Sequence, residues 1–109
     1  MKHEGMHLVS STQEKGEIMA QTAVLLTAHG RVQGVGFRYS TYQLAIRHHI
    51  FGFVRNNSDG TVTILAQGAP SMISIFTDAI AQSPNSWAHV TKLEQVPQQI
   101  QPLKKFDIY

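Results

Sequence analysis

The segment GRVQGVGFR at 30–38 places Gly30, Gly34 and Gly36 within seven residues and Arg38 just behind them. Glycine tolerates positive φ and lets a ligand approach the backbone closely, so consecutive N–H groups in such a segment can converge on one anion. If a helix begins there, its unpaired N–H groups and positive dipole end add to the attraction. Arg38 in the first turn can fork onto two phosphate oxygens. The same residues also suit a tight loop followed by a solvated arginine. The segment matches neither GxxxxGK[ST] nor GxGxxG, so no nucleotide is implied.

Asn56 is the second candidate. In a strand, Ile50, Val54 and Asn56 fall on one side by period two, so Asn56 follows the buried side chains toward the helix layer. A neutral amide at the strand's end can hold a water by accepting one hydrogen bond and donating another. Asn56 and Asn57 equally suit an ordinary turn.

The remaining composition narrows the chemistry. With no cysteine, disulfides, thiolate zinc sites and cysteine nucleophiles are excluded. His48, His49 and His89 show no shared ligand spacing and read as packed or surface residues, as His3 and His7 read as solvated; no metal and no cofactor is expected. A formal charge of +2 is too small to imply a nucleic-acid surface, although Arg31, Arg38, Arg47 and Arg55 cluster where a modest anion would be favoured. No apolar run is long enough to span a bilayer and residues 1–19 lack the apolar core of a signal peptide, which predicts a soluble, cytoplasmic protein without a membrane partner.

The elements that must position these residues follow from periodicity. Residues 1–19 show neither helical nor strand period and are expected to be a disordered extension, leaving one domain over 20–109. Residues 23–29 alternate Val24, Leu26 and Ala28 against Leu25, Thr27 and His29, a strand that Gly30 is expected to end. Residues 38–49 carry a polar stripe of Ser40, Gln43 and Arg47 with apolar residues around the rest, a helix expected to pack on most of its circumference. Residues 50–55, the turn 57–60 and residues 61–67 form a hairpin, with Thr61, Thr63 and Gln67 expected to face outward. Pro70 opens a second helix whose Met72, Ile75, Phe76, Ala79 and Ile80 form one stripe. Residues 90–96 and 105–109 are the final strands, with Pro97 and Pro102 interrupting the chain between them. Strand, helix, strand, strand, helix, strand predicts an α+β ferredoxin-like split βαβ sandwich, with two helices on one face of an antiparallel sheet.

Taken together, GRVQGVGFR at 30–38 and GFVRNNSDGTVTILAQG at 52–68 resemble the two signatures of the acylphosphatase family, in the right order and separation. SPNSWAHV at 83–90 is similar to that family's approach to its fourth strand, and the resemblance runs over roughly residues 23–109. It implies a catalytic Arg38, a catalytic Asn56 and phosphate-binding amides at Gln33, Gly34, Val35, Gly36 and Phe37. The implied activity is hydrolysis of a small-molecule acyl phosphate to carboxylate and inorganic phosphate by a monomer that needs no nucleic acid. One departure is local: family members commonly end in F-x-I-R-Y, whereas this chain ends Phe106-Asp107-Ile108-Tyr109.

Two rivals belong to other classes. HIFGFVRN at 49–56 shares F-G-F-V with an RNA-recognition signature but lies on the second rather than the third strand. A non-catalytic anion-binding or carbamoyl-phosphate-handling module is the other, since similar domains occur within larger maturation proteins.

Overall fold

A computed structural model describes residues 20–109, so the extension expected over 1–19 lies outside the described residues. In chain order the elements are β1 (Thr22–Arg31), α1 (Phe37–Arg47), β2 (Phe51–Asn56), β3 (Val62–Gly68), α2 (Pro70–Ala81), β4 (His89–Gln98) and β5 (Phe106–Ile108). Among the described residues no helix is long and apolar enough to cross a membrane.

The strands lie side by side in the order β4-β1-β3-β2-β5. Register aligns Val24, Leu26 and Ala28 of β1 with Ala66, Ile64 and Val62 of β3, and Val54 of β2 stands opposite Ile64. Antiparallel partners share a face, so these side chains form one apolar surface. Phe37 and Ala45 of α1 and Ile73, Phe76 and Ile80 of α2 join it in a single core, in which each buried large side chain contributes on the order of 2 kcal/mol. This is the ferredoxin-like arrangement, with one difference from a purely antiparallel sheet. β5 pairs parallel to β2, Gly52 opposite Phe106 and Val54 opposite Ile108. The chain leaves β4 at one edge, crosses over residues 99–105 and arrives at the other edge running with β2. Phe106 then fills the space between Tyr42 and Phe76, with ring centroids 6.4 and 6.5 Å away.

Several boundaries shift for identifiable reasons. β1 runs past Gly30 to Arg31, because a register shift between His29 and Gly30 lets β4 keep pairing with it. β4 continues through Pro97, which an edge strand tolerates because one side of its ladder needs no N–H. Thr63 and Gln67 point to the face of central strand β3 away from the helices, yet they are buried there, as is Thr61 just before the strand. The Gln67 side chain also accepts from the Gln101 N–H and donates to the Gln101 carbonyl, pinning the crossover. α1 packs on a narrower face than its composition suggests: Phe37, Thr41 and Ala45 are buried, whereas Tyr39 and Ile46 are 59% and 52% exposed.

α1 ends at Arg47, two residues short of the expected limit, in a Schellman cap. The Ile50 N–H donates to the Ala45 carbonyl at 2.8 Å and the His49 N–H to the Ile46 carbonyl at 3.3 Å. This cap requires a left-handed residue, and His49 supplies it at φ 56°. Glycine carries no Cβ penalty in that region, and the exposed His49 side chain contributes no hydrogen bond to the fold. His49→Gly is therefore expected to raise unfolding stability by about 0.5–1 kcal/mol in denaturant titration. An unchanged or lower midpoint would show that the imidazole makes a contribution of its own.

Candidate functional site

The loop from Val32 to the start of α1 carries two left-handed glycines, Gly34 at φ 74° and Gly36 at φ 73°, with Val35 between them. Space around the first is open, so its requirement is conformational rather than steric. Gly36 is also the N-cap of α1, which has no side-chain cap and no acidic residue in its first turn. A helix start of this kind leaves N–H groups and a positive dipole end uncompensated, as an anion site requires.

The loop borders an open cleft of about 320 Å³. Gly34, Gly36, Phe37 and Arg38 line it from the loop and helix side, Asn56 from the end of β2, and Ile108 and Tyr109 from the end of the chain. Arg38 and Asn56 are thus brought to one cavity, Asn56 because its face of β2 is the helix-facing one. The Arg38 guanidinium donates to the main-chain oxygen of Tyr109 at 2.6 Å. One of its five donors is used there, and the planar group is held at the cleft wall. The cleft lining contains an arginine, two tyrosines and an asparagine but no carboxylate side chain and no histidine. Among the described residues, no three His, Asp or Glu side chains gather where they could share a metal ion.

Two residues tie this loop to other parts of the chain. The Gln33 side-chain N–H groups donate to the Asn57 carbonyl at 2.8 Å and the Thr61 carbonyl at 2.9 Å, stapling the loop to the turn that follows Asn56. That turn is itself a polar network. Asn57 donates to the Thr61 and Thr63 hydroxyls at 2.9 and 2.8 Å. Asp59 accepts from the Thr61 hydroxyl and N–H at 2.6 and 3.0 Å, and these bonds hold its carboxyl below the usual carboxylate range. On the other side, Asn85 donates to the Val35 carbonyl at 3.1 Å and the Ser40 hydroxyl at 2.9 Å.

Of the residues singled out in the sequence, Gly34, Gly36, Phe37, Arg38 and Asn56 therefore line the cleft, and Gln33 and Val35 do not. The Gln33 side chain serves the staple, and Val35 packs against the core. The sequence marks Asn57 as a turn residue and Asn85 as part of a helix break, and gives neither a long-range partner. Asparagine in a turn reads as local punctuation, and nothing in its spacing reveals a partner 50 residues away.

A ferredoxin-like domain with a glycine loop, an arginine and an asparagine around one open cleft is of a class whose chemistry can accommodate a small anion. The comparisons narrow that class: a family model described as acylphosphatase matches residues 24–108. An acylphosphatase of Pediococcus pentosaceus is 46% identical over 71 residues, covering 65% of this chain and 79% of that protein. One of Latilactobacillus sakei is 40% identical over 89 residues, covering 81% and 97%. The crystal structure of an acylphosphatase from Bacillus subtilis superposes with a TM-score of 0.78 at 30% identity, covering 81% of this chain and 98% of that one. The chain belongs to the acylphosphatase family, and is an enzyme of that family.

The Gln33 staple yields a direct test. Gln33→Ala removes two half-buried hydrogen bonds across the loop and hairpin, and is expected to lower stability by about 1–2 kcal/mol. A change within experimental error in urea unfolding would mean that solvent satisfies both carbonyls equally well.

Proposed function

We propose that the cleft hydrolyses the carboxyl–phosphate anhydride of acyl phosphates, with Arg38 and the loop amides binding the phosphoryl oxygens and Asn56 positioning the water. The observation that carries this reading is the meeting of Arg38, Asn56 and the glycines of the loop at one open cavity.

The chemistry suits a site with few ionisable groups. Water attacks phosphorus in line, the bond from phosphorus to the carboxyl oxygen breaks, and the bonding pair leaves with the carboxylate. That group has a pKa of roughly 4–5 as a free acid, so it departs without being protonated and no general acid is needed. Asn56 cannot act as a base; its amide holds and aims the water, whose proton passes to a phosphoryl oxygen. What remains is positioning and the neutralisation of phosphoryl charge, which dominate phosphoryl transfer. The donors of Arg38 not spent on Tyr109 and the open N–H groups at the start of α1 supply that neutralisation. No step calls for a metal or cofactor, so hydrolysis of a simple aryl acyl phosphate is expected to persist in EDTA.

The two residues separate by role. Arg38 holds the phosphoryl group in ground and transition states, so Arg38→Ala is expected to abolish phosphate binding and turnover together. Asn56→Ala is expected to lower kcat by about 10²–10³ while inorganic phosphate binds with near wild-type affinity in calorimetry. A well-folded Asn56→Ala that turns over at a comparable rate would show that another group holds the water. Loss of phosphate binding in both variants alike would place Asn56 in the anion site instead.

A further inference from the structure

Resting on that function, we infer that Asn85 is a positioning residue: by holding the Val35 carbonyl it turns the Gly36 N–H into the cleft, where the phosphoryl group binds. Asn85 sits between α2 and β4, outside the cleft, and its amide makes four hydrogen bonds. Its NH₂ donates to the Val35 carbonyl and the Ser40 hydroxyl at 3.1 and 2.9 Å. Its oxygen accepts from the Trp87 and Ala88 N–H groups at 2.9 and 2.8 Å. Two backbone donors on the oxygen fix which way the amide is turned, so a donor necessarily faces Val35.

The consequence lies in the geometry of one peptide unit. The bond between Val35 and Gly36 is trans, so its carbonyl and N–H point in opposite directions. With the carbonyl drawn to Asn85, the Gly36 N–H faces away from it, and Gly36 lines the cleft. The reverse orientation would present a carbonyl oxygen to an anion and cancel part of the attraction. The loop has little of its own to prevent that reversal. Val35 stands between two glycines at positive φ, and glycine resists rotation about its backbone less than any other residue. Gly36 is also the uncapped N-cap of α1, so flipping this peptide breaks no side-chain cap. The Asn85 bond to Val35 is the side-chain contact that selects one orientation. The Ser40 arm fixes the same amide against the first turn of α1, joining the helix start, the loop and the segment 83–88.

Two variants separate this role from a structural one. Asn85→Asp keeps an acceptor for the Trp87 and Ala88 N–H groups but cannot donate to Val35, whereas Asn85→Ala removes both arms without adding charge. Both are expected to bind inorganic phosphate about tenfold or more weakly and to raise KM for an aryl acyl phosphate, the scale of losing one donor to a charged group. Asn85→Asp should stay folded with a lowered melting temperature, and its binding deficit relative to wild type should persist at high salt, where a simple charge repulsion is screened. The Gly36 amide resonance should shift in both free variants and respond less to phosphate. Wild-type phosphate affinity in the folded Asn85→Asp protein, or a deficit that disappears at high salt, would overturn the inference, whether or not Asn85→Ala folds. Failure of the wild-type protein itself to bind phosphate or hydrolyse acyl phosphate would instead overturn the function on which it rests.

Discussion

Everything at the cleft depends on holding the five residues of irregular backbone between β1 and α1 in one shape. A loop that offers N–H groups to an anion must direct its carbonyls elsewhere, and glycines that permit the shape do not enforce it. Enforcement comes from side chains distant in sequence. Gln33 reaches forward to the β2–β3 turn, and Asn85 reaches back from the far side of α2. The first contact sets the loop against the strand end that carries Asn56; the second sets it against the helix that carries Arg38. The spacing between the two candidate catalytic groups is thus a property of tertiary hydrogen bonds as much as of the loop's own sequence.

The last strand belongs to the same construction. β5 is only three residues long and pairs with β2 alone, so its backbone ladder is a weak hold. Three side-chain contacts compensate. Phe106 is clamped between Tyr42 and Phe76 on the helix face, while on the opposite face the Tyr109 ring lies 5.5 Å from Phe53. Arg38 then takes the Tyr109 main-chain oxygen. The final strand lacks the penultimate arginine common in the family, yet it is packed on both faces and ends at the cleft wall. The same contacts bear on F-G-F-V at 51–54: the Phe53 ring is engaged by Tyr109 and by the Arg55 guanidinium, 5.4 Å from its centroid, and so braces the sheet edge.

What could be read from the sequence was whatever local pattern determines. The alternation in β1, the hairpin closed by Asn57 to Gly60, the Pro70 start of α2 and the glycine loop all announce themselves within a few residues, and Asn56 was placed on the correct face by counting twos. Contributions from distant parts of the chain were not readable. His49 terminates α1 in a conformation that usually advertises itself with glycine, so the stop signal was missing. Pro97 looked like an interruption because nothing local says that β4 is an edge. Gln67 looked like a solvent-exposed polar residue because its partner, Gln101, comes from a crossover on the far side of the molecule. The parallel pairing of β5 follows from that crossover and from nothing in residues 106–108 themselves.

The division between readable and unreadable residues also has a chemical meaning. Displacing a carboxylate from phosphorus asks little of acids or bases, so the proposed site needs only one cation, one amide and backbone donors, groups whose effect lies almost wholly in where they point. Backbone donors have no side chain to mark them in a sequence, and their direction is set by whichever group takes the neighbouring carbonyl. In this protein those groups are amides: Asn85 on Val35, and Gln33 on the carbonyls that border Asn56's strand end. A neutral amide suits the task because it can donate to a carbonyl without placing a charge beside the anion site. Lysine there would compete for the phosphoryl group, and a carboxylate would repel it. Neutral amides of Gln33 and Asn85 tie the loop in place and Arg38 is the one cation lining the cleft, a distribution of charge that fits the proposed displacement.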